Sequence, residues 1–166
     1  MINFCAIEKD TPLYMSKLDS PMGQWKLVWC DKGLVHSTMD HSCASFQKVQ
    51  TAAPPEWLKE TWENFWLGKN FTLNLCFLKE PSSFAMSVYR IVAAIPPGKT
   101  KSYKDVATGI GNSRASRAIG TIMRNNPWAP FVPCHRVIGS DGNMCGYGGS
   151  GGVKLKAAFL EYEKHF

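Results

Sequence analysis

From Ser102 to Arg124 the chain reads SYKDVATGIGNSRASRAIGTIMR. Ser102 and Asp105 stand at the spacing of a capping box, with Asp in place of the usual Glu or Gln. The pattern predicts a short helix through Val106 and Ala107. Gly109-Ile110-Gly111 then turns the chain, and Asn112-Ser113 is expected to cap a second helix running to about Arg124, which Asn126-Pro127 ends. Helix, glycine-containing turn, helix is the layout of a helix-turn-helix. At about 100° per residue, Ala115, Ala118, Ile119 and Ile122 cluster on one side of the second helix. Arg114, Arg117, Thr121 and Arg124 cluster about 130° away. The first set can pack on the preceding helix and the second can face DNA, with the small residues Ala118 and Gly120 permitting close approach. The bland alternative is a surface helix whose arginines are simply solvated.

Charge bears on that choice. Residues 1–89 hold eight Lys, no Arg and nine acids, a balance of −1. Residues 90–166 hold six Lys, all five Arg (90, 114, 117, 124, 136) and four acids, a balance of +7. Arg is the side chain best suited to phosphate and base recognition, and a one-sided basic field draws polyanions. A DNA-facing helix is therefore favoured over a merely solvated one.

The rest of the chain reads as scaffold. Leu13–Leu18 and Gln24–Trp29 are expected as strands around the turn Asp19-Ser20-Pro21-Met22-Gly23, and Gly33 opens a third strand through Ser37, which begins a β-meander. After Pro54-Pro55, the residues Trp57, Leu58, Trp62, Phe65 and Trp66 fall at helical spacing until Gly68. Phe71–Phe77 alternates as a strand. Pro81-Ser82-Ser83 starts a helix whose stripe is Phe84, Val88, Ile91, Val92 and Ile95, and Pro96-Pro97-Gly98 ends it. At 166 residues the chain is long enough to fold without a disulfide or metal. It has no apolar run of about 18 residues, as a membrane span needs, and no basic-then-apolar leader. Its six Cys are widely spaced with no CxxC, so free thiols in a reducing cytoplasm are expected.

The reactive centre lies in Pro130-Phe-Val-Pro-Cys134-His135-Arg136-Val-Ile-Gly139. A thiolate is a nucleophile, and a neighbouring imidazole or cation lowers its pKa. Glu161 or Glu163 could orient the histidine as third member of a relay. Taken alone, the pair reads more simply as a small buried cysteine beside a satisfied core histidine. Adjacent ligands with Cys145 eleven residues on match no familiar zinc spacing.

Pro133-Cys134-His135-Arg136-Val137-Ile138-Gly139 resembles the active-site signature of the O6-alkylguanine-DNA alkyltransferases. The likeness runs the length of the chain. Asp19–Gly23 is similar to the family's early turn, and Phe65-Trp66-Leu67-Gly68-Lys69 to a helix end. Ile95–Tyr103 is similar to its approach to the helix-turn-helix. Arg114–Gly120 and Met123–Pro127 resemble its recognition helix and hinge. Gly146-Tyr147-Gly148-Gly149 and Phe159–Glu163 resemble its closing segment.

That resemblance implies an α/β scaffold domain over 1–80, ribonuclease-H-like with a small antiparallel sheet. A mostly helical winged helix-turn-helix domain over 81–166 carries DNA binding and catalysis. It implies single-turnover DNA repair: the alkyl group of O6-methylguanine, with O4-methylthymine as a second candidate, passes to Cys134 and stays there as a thioether. His135 would act through a water as base, Glu163 would polarise it, and Asn126 would hold the thiol-bearing segment. Tyr103 would protonate the leaving purine or contact its phosphate. Arg117 would fill the space of the extruded base in duplex DNA read through the minor groove, with Arg114, Ala118, Thr121, Arg124 and Ser102 also at the DNA. Val137, Tyr147, Gly148 and Gly149 would line the guanine pocket. Two extra residues in Gly148–Gly152 depart from the family's pattern. Counting forward from Tyr147 makes the acid Glu161, and counting back from Lys156-Ala-Ala-Phe-Leu makes it Glu163. Helical phase with Phe159 and Leu160 favours Glu163.

Cys134 argues against a catalytically silent binder of alkylated DNA, whose members carry another residue there. A cysteine redox sensor would need a resolving thiol, for which Cys145 is the nearby candidate, and a hydrolase would need an oxyanion hole that the sequence does not reveal. Cys5, Cys30 and His36 are similar to a structural zinc site of some relatives, but the His is shifted and a fourth ligand is missing. No metal and no cofactor are expected. The expected partner is duplex DNA, with no membrane, for a monomer in the cytoplasm, or in the nucleus of a eukaryote.

Overall fold

A computed structural model describes residues 1–39, 46, 48–145 and 152–166. Its contacts divide the chain into two units, Met1–Glu80 and Pro81–Phe166. The first is organised by the turn after Leu18. Ser20 and Gly23 exchange backbone hydrogen bonds at 3.0 Å, and the Ser20 hydroxyl accepts from Met22 N and from the Trp25 indole. Gly23 closes the turn at φ 114°, a conformation costly for any residue with a Cβ. The turn joins β2 (Leu13–Leu18) to β3 (Trp25–Cys30), which continues antiparallel into β4 (Gly33–Thr38).

Around this meander lie β1 (Ile2–Ala6), β5 (Val49–Thr51) and β6 (Leu73–Phe77), giving the order β1-β6-β4-β3-β2-β5 among the described residues. The sheet is mixed, not wholly antiparallel: β1 with β6, β4 with β6 and β2 with β5 are parallel. Tight turns can join only antiparallel neighbours, whereas the outer strands arrive by long connections and are free to pair parallel. Helix α1 (Glu56–Trp66) buries Leu58, Trp62 and Trp66, four residues apart. Each such burial contributes about 1.5–3 kcal/mol. The Trp62 indole donates to Asp19 O at 2.7 Å and meets Trp25 edge-on. A second apolar cluster joins Ile7, Leu13, Val28, Cys30, Val35 and Cys76.

In the second unit Ser82 caps α2 (Ser83–Ala93), its hydroxyl accepting from Ala85 N. The helix stops before Ile95, because a residue preceding proline is disfavoured in the helical region. Lys101–Ser102 (β7) pairs in parallel with Val137–Ile138 (β8). Both halves of the capping box form at α3 (Tyr103–Gly109): Asp105 N donates to Ser102 Oγ at 3.0 Å, and Ser102 N donates to Asp105 Oδ2 at 2.9 Å.

Helix α4 (Ser116–Arg124) begins three residues later than its expected Asn112-Ser113 cap. Ala115 N instead bonds Asn112 O at 3.0 Å, closing a separate turn that carries Arg114. The buried ridge is therefore Ala115, Ile119 and Met123, four residues apart, while Ala118 is exposed and Ile122 half-buried. Helix α5 (Gly152–Tyr162) continues into a 3-10 turn, Glu163–His165. Among the described residues no helix is long and apolar enough to cross a membrane.

Candidate active site

Cys134 opens a 3-10 turn, Cys134–Arg136, immediately before β8, and is 5% exposed. One carbonyl anchors this turn. Val132 O accepts from Cys134 N at 2.8 Å and from Asn126 Nδ2 at 2.7 Å. The Asn126 carbonyl oxygen in turn accepts from Trp128 N. A single amide thus ties the end of the helix-turn-helix to the thiol-bearing backbone.

His135 is fully buried with its ring stacked on Phe159 at 4.5 Å. Its Nε2 lies 2.8 Å from Glu163 Oε1, while its Nδ1 is buried without a hydrogen-bond partner. An ionised carboxylate can only accept, so the proton sits on Nε2 and Nδ1 carries the free lone pair. Arg136 shares the same carboxylate: Nε donates at 3.1 and 2.9 Å and Nη2 at 2.7 Å. Its Nη1 donates to Ile95 O, a carbonyl left free where α2 has ended. Gly98 N adds a contact to Glu163 Oε2 at 3.3 Å. Burial alone would raise the Glu163 pKa, but the hydrogen bonds from His135 and Arg136 outweigh it and hold it to about 2. Burial also pushes His135 down, overriding the upward pull of Glu163. Glu161, by contrast, is exposed and pairs with Lys164.

These shifts set an acid sensitivity. The folded Glu163 resists the proton that an unfolded glutamate takes near its ordinary 4.5. Its contribution, on the order of 3 kcal/mol, is complete above that value and is lost as pH falls toward 2. An unfolded histidine takes a proton near 6.5 while the buried ring stays neutral, so this part also declines with acid. The urea midpoint should fall steadily from pH 6.5 to 4.5 and more steeply below. A midpoint flat from pH 7 to 4 would contradict the buried pair.

Tyr103 is half-buried at the start of α3, and burial pushes its phenol up, keeping it a proton donor. It lies within electrostatic reach of the Cys145 and Cys134 thiols and of the Arg124 guanidinium. It also packs against Gly120 of α4, 3.9 Å from where a Cβ would stand. Arg114, Arg117, Ala118, Thr121 and Arg124 are all exposed. The Ser102 hydroxyl is occupied by the capping box. Val137 is fully buried; Tyr147, Gly148 and Gly149 lie outside the described residues.

Lys156 is a site residue that sequence reading used only for counting. It is fully buried and donates to Val137 O at 2.5 Å and to Cys145 O at 3.4 Å. Its ammonium stands 5.8 Å from the Tyr103 ring centroid and within electrostatic reach of Cys134. Burial lowers its pKa. Lys156, Phe159 and Glu163 lie at i, i+3 and i+7, so two charged groups occupy the inward stripe of the closing helix and turn. That stripe is the signal that could have found them. Among the described residues no three His, Cys, Asp or Glu side chains are grouped to hold a metal ion.

Comparison with known proteins meets this geometry. Residues 83–165 match the family described as 6-O-methylguanine DNA methyltransferase, DNA binding domain. A methylated-DNA–protein-cysteine methyltransferase of Methanosarcina barkeri is 33% identical over 162 residues, covering 92% of this chain and 98% of the relative. The chain belongs to the methylated-DNA–protein-cysteine methyltransferase family. It is a DNA-repair suicide alkyltransferase, moving an alkyl group onto a cysteine of its own. The OGT protein of Mycobacterium tuberculosis, solved in complex with DNA, superposes with a TM-score of 0.79 at 32% identity, covering 92% of this chain and 93% of that one. The O6-methylguanine-DNA methyltransferase of Pyrococcus kodakaraensis shares the fold at a TM-score of 0.62 and 20% identity, over 91% of this chain and 98% of that one. The two-unit layout, a mixed sheet followed by a helix-turn-helix unit, is the methyltransferase fold.

Proposed function

We propose that this methyltransferase repairs O6-alkylguanine in duplex DNA, with O4-methylthymine a second substrate, and that Cys134 is the acceptor. The observation that carries the reading is the unpartnered Nδ1 of His135, the residue that follows Cys134 in the chain, with its other nitrogen held by Glu163. Through a water, Nδ1 takes the Cys134 proton. The thiolate attacks the alkyl carbon, the carbon–oxygen bond breaks, and its electrons return to the purine, which Tyr103 protonates. The product is a thioether, whose carbon–sulfur bond does not hydrolyse. A base inside a duplex cannot reach a thiol 5% exposed, so the damaged nucleotide must be turned out, at a few kcal/mol. The exposed Arg117 fills its place, and Arg114, Thr121 and Arg124 contact the strand. This readout runs through the minor groove, whose degenerate code suits a reader of damage rather than sequence. The protein acts as a monomer in the cytoplasm, or in the nucleus of a eukaryotic cell.

The test is intact mass after incubation with duplex DNA containing O6-methylguanine. The expected gain is about 14 Da, one methyl per protein, mapped to Cys134. No gain, or a gain on another residue, would overturn the assignment.

Two substitutions separate the roles. Arg117→Ala should slow repair of duplex DNA at least about tenfold, because flipping loses its replacement for the stacked base, yet leave reaction with free O6-benzylguanine unchanged. Equal loss on both substrates would sink the intercalating role. Lys156→Met should cost stability, about 1–3 kcal/mol, because the buried Val137 carbonyl loses its donor. The Cys134 thiol should then titrate higher, because a neighbouring cation favours the thiolate. The single-turnover rate should shift to higher pH. An unaltered pH–rate profile would reduce Lys156 to a structural donor.

A further inference from the structure

Among the described residues, three thiols of the first unit take no part in the chemistry above. Cys5 of β1 and Cys76 of β6 are register partners in a parallel ladder, so their side chains leave the same face of the sheet. Their sulfurs lie 3.0 Å apart. Neighbouring strands are about 4.8 Å apart, within the roughly 4.4–6.8 Å between Cα atoms that a disulfide spans. Cys76 also hydrogen-bonds Cys30. Cys30, however, is on β3, with β4 between it and β6. Two strand spacings, about 10 Å, exceed the roughly 7 Å a disulfide can bridge.

Access distinguishes the pair. Cys76 is fully buried, whereas Cys5 is only half-buried, in a strand at the sheet's edge.

We propose that Cys5 and Cys76 form an oxidisable dithiol that a hydroperoxide closes to a disulfide, fastening the first strand of the sheet to β6. The Cys5 thiolate attacks the peroxide, the O–O bond breaks, and an alcohol (water, from hydrogen peroxide) departs with one proton. Cys5 is then a sulfenic acid. The Cys76 sulfur displaces its hydroxyl, the Cys76 proton leaves with that hydroxyl as water, and the S–S bond forms. Two thiols lose two electrons and two protons; the hydroperoxide gains both. Because Cys76 waits at 3.0 Å, it intercepts the sulfenic acid before a second peroxide can carry Cys5 to an irreversible acid. The link closes a span of 71 residues and removes entropy from the unfolded chain. It also secures an edge strand otherwise held on one side only.

The test uses the full chain, treated with hydrogen peroxide, quenched with a maleimide and digested without reductant. Wild type should yield a Cys5–Cys76 cross-linked peptide, about 2 Da lighter than its two parts, that dithiothreitol reverses. The oxidised protein should melt at least about 5 °C higher than the reduced one. Cys30→Ser should retain the link. Cys5→Ser, at a half-buried edge position that tolerates the change, should abolish it while leaving alkyl transfer by the reduced protein unchanged. Four outcomes would overturn the proposal. They are Cys5 found as a sulfinic or sulfonic acid beside an intact Cys76 thiol, a Cys30–Cys76 link instead, both thiols unreacted, or stoichiometric zinc in the purified protein that shields them from peroxide.

Discussion

Cys134→Ser should abolish the mass gain from O6-methylguanine DNA, lowering transfer by at least about a thousandfold, while leaving the melting temperature and DNA binding near wild type. The two side chains are close in size, and the backbone bonds of the turn to Val132 O and Pro133 O stay in place. The fold therefore has little to lose. The chemistry loses its nucleophile: a thiol ionises near pH 8.5 and its sulfur is intrinsically reactive, whereas a hydroxyl needs its proton removed in the transition state. The relevant control is Cys145→Ser. Cys145 is exposed, and Lys156 contacts its carbonyl rather than its thiol, so this variant should transfer as wild type does. The assay is single-turnover mass spectrometry on both variants with the same duplex. Residual methylation of Cys134→Ser at another cysteine would show that the acceptor had been misassigned.

Local signals were the ones the chain displayed openly. The Ser102–Asp105 capping box needs four consecutive residues, and both of its hydrogen bonds form as the spacing predicts. The meander and α1 were visible for the same reason: turn residues and apolar periodicity sit within one window. Strand β1 was not, because five residues at the chain start acquire a partner only through β6, some seventy positions away. The two-residue strands β7 and β8 are likewise defined by each other and by nothing in their own composition. The start of α4 shows a local signal misread. Ser113 can cap a helix, yet the Asn112–Ala115 bond makes a turn first, and the ridge shifts so that Met123 rather than Ala118 is buried.

Charge hid the deeper part of the site. Arg136 and Lys156 carry residue types that normally face water, and a stripe test that scores only apolar residues passes over both. What buries them is satisfaction at a distance. Arg136 spends its guanidinium on Glu163 and Ile95 O, and Lys156 spends its ammonium on the carbonyls of Val137 and Cys145. Neither partner set is adjacent in sequence. The choice between Glu161 and Glu163 was open to counting but not to geometry, in which only Glu163 meets His135.

Glu163→Ala should be the most damaging single substitution for stability, costing on the order of 3–5 kcal/mol of the roughly 5–15 kcal/mol that holds a domain together. The carboxylate is 3% exposed and accepts from His135, Arg136 and Gly98 N. Its removal strands a guanidinium that is itself only 6% exposed. Glutamine does not repair the site. With its oxygen toward His135 and Arg136, its amide nitrogen opposes the Gly98 N–H. Turned over, that nitrogen opposes the His135 Nε2–H and forces the proton onto Nδ1, where it abolishes the base. Glu163→Gln should therefore fold better than alanine yet transfer as poorly, and only its pH–rate profile should lose the limb that belongs to His135. Glu161→Ala, two residues away on an exposed pair with Lys164, should change stability by less than about 0.5 kcal/mol and leave transfer alone. Urea midpoints of the three variants, with single-turnover rates from pH 5 to 9, decide the matter. Equal effects at Glu161 and Glu163 would mean that the buried carboxylate neither holds the second unit together nor orients the histidine.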